Sequence, residues 1–203
     1  AESHINYYEV GGISALAGAQ PRPVPGVNGI LTVEAFEAAL RPENIHYPRT
    51  TLLCLENTHN RGGGTVMTPA QTDALCAAAH AHGLKVHLDG ARLFNAAVYL
   101  ETDPRELTAG VDSVQVCLSK GLCCPVGSLL AGARDFIAEA RRYRKQVGGG
   151  LRQAGFLAAP AIVALEEMVD RLAEDHANAR LLAEALAALP GVKIDLATVQ
   201  TNI

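Results

Sequence analysis

The sequence predicts an α/β fold in which a mainly parallel sheet is covered on both faces by helices. Short apolar runs of strand length recur along the chain, and most are followed by a segment with helical start and stop signals. Glycine and proline punctuate the joins. Alternation of this kind builds βαβ units and a parallel sheet buried on both sides.

Taken in order, residues 1–31 are loop-rich, with Gly11, Gly12, Pro21, Pro23, Pro25, Gly26 and Gly29. Thr32 suits an N-cap, with Glu34 and Glu37 in the early turns, and opens a short helix ending at Leu40. Residues 50–55 (TTLLCL) are a first strand, and 57–64 (NTHNRGGG) a glycine-rich loop. Thr68, with Pro69 at the first helical position, starts a helix that Gly83 ends. Three more apolar runs, 84–88, 111–118 and 126–131, read as strands. Residues 134–146 form a helix with a basic exposed face, closed by Gly148, Gly149 and Gly150. The Ala/Leu/Glu pattern of 156–189 predicts a long helical stretch, kinked or broken near Pro160 and stopped by Pro190-Gly191. Residues 192–196 read as the start of another strand.

Composition removes several classes of function. With 49% hydrophobic and 19% charged residues over 203 positions, the chain is not a disordered one. A net charge of -4 argues against nucleic acid or an anionic membrane as partner. Aromatics at 4% and no Trp speak against a base-stacking platform. No apolar run approaches the ~18 residues that span a bilayer, and no basic-plus-apolar leader is visible. A cytosolic location is therefore expected. Cys54, Cys76, Cys117, Cys123 and Cys124 are odd in number and scattered, unlike a secreted disulfide framework. They read as small apolar residues in a reducing compartment. Both ends of the chain run directly into patterned sequence, so a piece of a longer protein is expected.

In parallel sheets, ligands sit at the carboxyl ends of the strands. Glu56, Asn57, Thr58 and His59 follow the first strand, Asp89 and Arg92 follow the second, and Ser119-Lys120-Gly121 follows the third. A lysine held near an apolar interior favours its neutral amine, the form that attacks a carbonyl. An aspartate on the neighbouring strand end stays ionised when a cation faces it, and a pyridinium nitrogen is such a cation. Lysine imine plus aspartate at a ring nitrogen is the protein's share of pyridoxal phosphate chemistry. Each residue alone also fits a blander reading: Asp89 as a turn or N-cap residue, Lys120 as a solvated loop charge.

The remaining candidates carry less. His46 reads as a surface residue, and His80 and His82 as favourable charges near a helix C-terminus. His87 reads as a packed residue within its strand, and His176 as solvated on a charged helix face. No spacing suits a zinc site, so no metal is expected. Gly62-Gly63-Gly64 lacks the Gly-Lys-Ser/Thr of a phosphate loop. Arg141, Arg142, Arg144 and Lys145 read as a solvated basic helix face.

Five motifs carry a resemblance: LENTHN (55–60), HLDGAR (87–92), SVQVCLSKGL (113–122), PVGSLLAG (125–132) and GGGLRQAG (148–155). In this order they resemble the L-threonine aldolases, of the low-specificity or L-allo-threonine type, within the β-eliminating lyase family of fold-type I pyridoxal phosphate enzymes. The likeness runs from Glu2-Ser3-His4 to Gln200-Thr201-Asn202.

The resemblance implies an aspartate aminotransferase-like large domain over 1–170, lacking its N-terminal segment, and the start of a truncated small domain over 171–203. It implies pyridoxal 5'-phosphate as cofactor, bound covalently by Lys120, with Asp89 at the pyridine nitrogen and His4 stacked on the ring. Arg92 would grip the substrate carboxylate, and His59 would lie near the β-hydroxyl. Arg152 and Lys145 would help hold the phosphate, from a neighbouring subunit of a homodimer or homotetramer. The implied reaction is retro-aldol cleavage of threonine, allo-threonine or a related β-hydroxy-α-amino acid to glycine and an aldehyde. Alternatives are a β-eliminating lyase of the same fold that yields pyruvate and ammonia, or a non-catalytic truncated fragment. One departure stands out: Cys123 and Cys124 follow the lysine turn where the family carries small residues, often glycine first.

Overall fold

The computed structural model describes residues 1–203. The first 31 residues are less irregular than expected, since they contain two short helices, α1 (His4–Tyr7) and α2 (Gly12–Ala17). Helix α3 (Val33–Ala39) starts where predicted, with the Thr32 hydroxyl accepting the Ala35 N–H at 3.2 Å. Strand β1 (Leu52–Glu56) leads through the glycine-rich loop to α4 (Pro69–Ala81). Thr68 and Gln71 close a reciprocal capping box there, which satisfies two of the amides a helix start leaves free.

Strand β2 (Lys85–Asp89) is followed by α5 (Leu93–Leu100) and α6 (Pro104–Leu107), a stretch to which the sequence pattern assigns no element. Then come β3 (Ser113–Cys117), β4 (Ser128–Gly132) and α7 (Arg134–Gln146). The four strands form one sheet in the order β1-β2-β3-β4. β1–β2 and β2–β3 are parallel, whereas β4 returns antiparallel to β3. The connection from β3 to β4 is a turn of ten residues (118–127) with no crossover helix, so the chain can only double back.

Strand alternation sorts the side chains. Leu53, Leu55, Val86 and Leu88 lie on one face and form a buried core with Leu75, Cys76 and Ala79 of α4, Leu93, Ala96 and Ala97 of α5, and Leu107. The opposite face carries Cys54, Glu56, His87, Asp89, Ser113, Gln115 and Cys117. Helices cover the apolar face, and α7 meets the other face beside β4, where Phe136 fills the space a Gly132 side chain would need.

Two further expectations are corrected. Pro160 is accommodated inside α8 (Gly155–Val163), which passes into a π turn over Ala164–Met168. The break falls at 169–171, before α9 (Leu172–Ala187). Pro160 lies within the first two turns of α8, so its missing N–H costs the helix one early ladder bond without ending it. Residues 192–196 form no strand; a short 3-10 turn (Leu196–Thr198) follows, capped by Asp195. The segment pairs with no strand of the sheet, its Leu196 carbonyl accepting from Arg180 Nη1 of α9 at 2.7 Å, and an unpaired strand is not stable in water. The tail instead folds back onto the glycine loop, where buried Thr201 donates to the Gly64 carbonyl at 2.9 Å. Leu172, at the start of α9, packs with Leu118, Leu122 and Cys124 in a second apolar cluster.

Candidate active site at the strand ends

The carboxyl ends of the parallel strands are stitched together by backbone bonds. Asn57 N–H donates to the Asp89 carbonyl at 2.9 Å, and Gly90 N–H to the Gln115 carbonyl at 2.7 Å. This brings the polar residues after each strand to one edge of the sheet.

Asp89 ends β2, half-buried, with Oδ1 accepting the Ala91 N–H at 3.1 Å. No cationic side chain pairs with it. Lys120 lies on the turn after neighbouring β3, half-buried, and its Nζ makes no hydrogen bond or ion pair. The turn is closed by Cys123 N–H donating to the Lys120 carbonyl at 2.9 Å. Cys123 takes a left-handed φ of 62°, a conformation that glycine would adopt without strain. Cys124 is buried in the second apolar cluster, and all five cysteines are free.

Arg92 leads into α5, half-buried, and Nη1 reaches Asn60 Oδ1 at 3.5 Å. Burial pulls its guanidinium below the usual arginine range, while the nearby Cys117, Glu56 and Asp89 oppose that shift. Burial, with Asp89 adding to it, pushes the Cys54 thiol up to about 11. Burial also lowers His87, whose Nδ1 lies 2.8 Å from Ser113 Oγ on the same face.

In the loop after β1, Asn57 is structural: its amide exchanges two hydrogen bonds with the backbone of Met67, at 2.8 and 3.1 Å. Thr58 is buried, and its hydroxyl has no partner. His59 is 4% exposed, and its Nδ1 accepts the Gly62 N–H at 3.0 Å. A backbone amide only donates, so in the neutral ring the proton resides on Nε2. Gly29, at φ 81°, lies against the imidazole, and a Cβ there would come within 2.2 Å of His59 Cγ.

The other predicted residues sit differently. The His4 backbone joins the cluster, donating to Glu56 Oε2 at 2.5 Å. Its imidazole bonds Glu9 at 2.7 Å and lies beside Tyr8. Arg152 and Lys145 are exposed and make no hydrogen bond or ion pair with the strand-end residues. His176 departs from the solvated reading, because α9 packs on α5 and its Nε2 accepts from the buried Asn95 amide at 3.1 Å. Glu56 and Asn60 belong to the cluster although sequence reasoning gave them no role. The period-two pattern that sets Glu56 on the face of Cys54 was the available signal. No three His, Cys, Asp or Glu side chains are arranged to hold a metal ion.

An unpaired amine, an unpaired carboxylate, a half-buried guanidinium and an imidazole N–H donor along one edge can together bind and polarise an amino acid. The model of the family described as "Beta-eliminating lyase" matches residues 1–203. The chain belongs to that family. It is 46% identical over 203 residues to low-specificity L-threonine aldolase 1 of Arabidopsis thaliana, covering 98% of this chain and 57% of that protein. It is 44% identical over 185 residues to the low specificity L-threonine aldolase of Escherichia coli K12, covering 91% and 55%. A Listeria monocytogenes structure, provisionally described as an L-allo-threonine aldolase, superposes with a TM-score of 0.86 at 26% identity over 99% of this chain and 54% of its own. Leishmania major threonine aldolase shares the fold, with a TM-score of 0.82 at 23% identity, over 98% of this chain and 58% of its own. The chain thus spans somewhat more than half the length of the relatives it matches.

Proposed function

We propose that the complete protein is a pyridoxal phosphate-dependent aldolase that cleaves threonine, allo-threonine or a related β-hydroxy-α-amino acid to glycine and an aldehyde. The observation that supports this reading is that Asp89 ends β2 and Lys120 lies on the turn after neighbouring β3, neither with an ionic partner of its own.

The residues present fit the cofactor. A half-buried carboxylate without a cation suits a ring nitrogen, and the partnerless Thr58 hydroxyl leaves hydrogen-bonding capacity in the adjoining loop. When bound, pyridoxal phosphate supplies an electrophilic carbon and a protonated ring that takes up the electron pair left at the α-carbon. Lys120 holds it through Nζ, and Asp89 keeps the ring nitrogen protonated. Arg92 binds the substrate carboxylate in its planar fork. With Nδ1 occupied by Gly62, His59 offers an Nε2–H, which supports orienting the β-hydroxyl or a water that removes its proton. His4 would stack on the ring.

Arg152 and Lys145 reach the phosphate from a neighbouring copy in this reading, which their exposure and the exposed Val147, Leu151 and Phe156 nearby support. Self-association as a dimer or tetramer follows from it. Five free cysteines fit a cytosolic setting, and no helix is long and apolar enough to cross a membrane.

The test is product identity. Full-length protein loaded with cofactor is expected to turn L-threonine into glycine and acetaldehyde. Ammonia and a 2-oxo acid in their place would assign the β-eliminating reaction instead.

A further inference from the structure

Glu56 is a carboxylate where an apolar residue would be easier to bury. It is 6% exposed, ends β1, and stands in register with Asp89. A buried carboxylate needs compensation, yet no lysine, arginine or histidine forms an ion pair with it. Its hydrogen bonds come from two backbone amides, and the Arg92 guanidinium and Ala1 ammonium add longer-range attraction. Oε2 accepts the N–H of His4 at 2.5 Å, and Oε1 accepts the N–H of Asn60 at 2.9 Å. His4 is 52 residues away in sequence and belongs to a different segment. Asn60 directly follows His59, and its side chain in turn meets Arg92 at 3.5 Å.

One carboxylate therefore ties together the segments that carry His4, His59 and Arg92. We propose that Glu56 is a positioning residue for the amino-acid site, its two oxygens setting the N-terminal helix and the His59 loop at a fixed separation. The role demands a carboxylate. Both oxygens face donors, and a glutamine would turn its own NH2 toward one of them. Charge-assisted bonds of this kind are among the stronger ones in proteins, and Glu56 spends both on backbone, where they restrain position directly.

This inference rests on the aldolase reading for its kinetic consequence but not for its structural one, so the experiment has two arms. In full-length protein loaded with cofactor, Glu56→Gln is expected to lower the turnover per loaded site about tenfold, the effect of losing one charge-assisted bond. Cofactor loading, followed by visible absorbance, stays at the parent level. Glu56→Asp keeps two acceptors and recovers part of the turnover. In the second arm, amide hydrogen exchange of Glu56→Gln speeds up at His4 and Asn60 and is unchanged in β2. A residue that merely stabilised the fold would lower loading, loosen β2 as well and leave turnover per loaded site intact. That result, or unchanged exchange at both amides, overturns the proposal. A parent protein that does not cleave its amino acid defeats the aldolase reading alone, and the exchange arm still decides the bridge.

Discussion

The two ends of the parallel strands use charge in opposite ways. At the amino end, Asp112 is saturated. Lys85 Nζ donates to Oδ1 at 2.7 Å, while Oδ2 receives the Val86 N–H at 2.8 Å and lies 2.9 Å from His80 Nε2. Burial pushes its carboxyl upward, but these partners outweigh burial and hold it well below the usual carboxylate range. At the carboxyl end, Asp89 and Lys120 lack ionic partners, His59 keeps a free Nε2–H and Thr58 a free hydroxyl. The saturated end clips β2 to the start of β3. The unsaturated end is the one with capacity left for a ligand, and such capacity persists only where a rigid frame prevents its collapse.

Substitutions at the two ends should accordingly separate activity from stability. Lys120→Ala has the largest expected effect: complete loss of cleavage and of the visible absorbance of the loaded full-length protein, with the unfolding midpoint retained. His59→Phe removes the Nε2–H donor and should lower turnover about a hundredfold, the scale set by deleting one preorganised donor, and should cost about 1–3 kcal/mol of stability because the Gly62 N–H loses its acceptor as well. A steady-state assay beside a denaturant melt checks both.

At the other end, Asp112→Asn should reduce stability by about 1–3 kcal/mol and leave turnover per loaded site unchanged. Its pH dependence has a definite sign. The folded carboxyl is depressed below its ordinary 3.8, so its contribution is full well above that pH and is lost as pH falls through the folded value. The stability gap between parent and variant should therefore be constant near neutrality and close in acid. The smallest effect is expected at the turn that presents Lys120. Cys123→Gly should raise stability by about 0.5–1 kcal/mol, because relief of the left-handed strain exceeds the added entropy of the unfolded chain.

Much of this was legible in the residues. The strands, the helix starts at Thr32 and Thr68, and the polar residues after each strand follow from local periodicity and capping, which depend only on near neighbours. The antiparallel return of β4 was not legible, because strand direction depends on the path of the connection. The failure of 192–196 to form a strand has the same origin: extended propensity needs a strand to pair with, and the end of the segment meets Arg180 of α9 instead. His176 looked solvated on α9 alone and became bonded to Asn95 only when α9 packed on α5.

By itself the sequence determined which chemical groups stand at the strand ends, since a period of two and a short turn suffice to aim a side chain out of the sheet. Only the tertiary structure decided which of those groups remain unpaired and which are consumed. Glu56 shows why: its partners come from residue 4 and residue 60, and nothing in a local pattern specifies that two segments so far apart will present their amides to one buried carboxylate. That match is made by folding, where the desolvation of a charge can be offset only by whatever donors the assembled chain brings within reach.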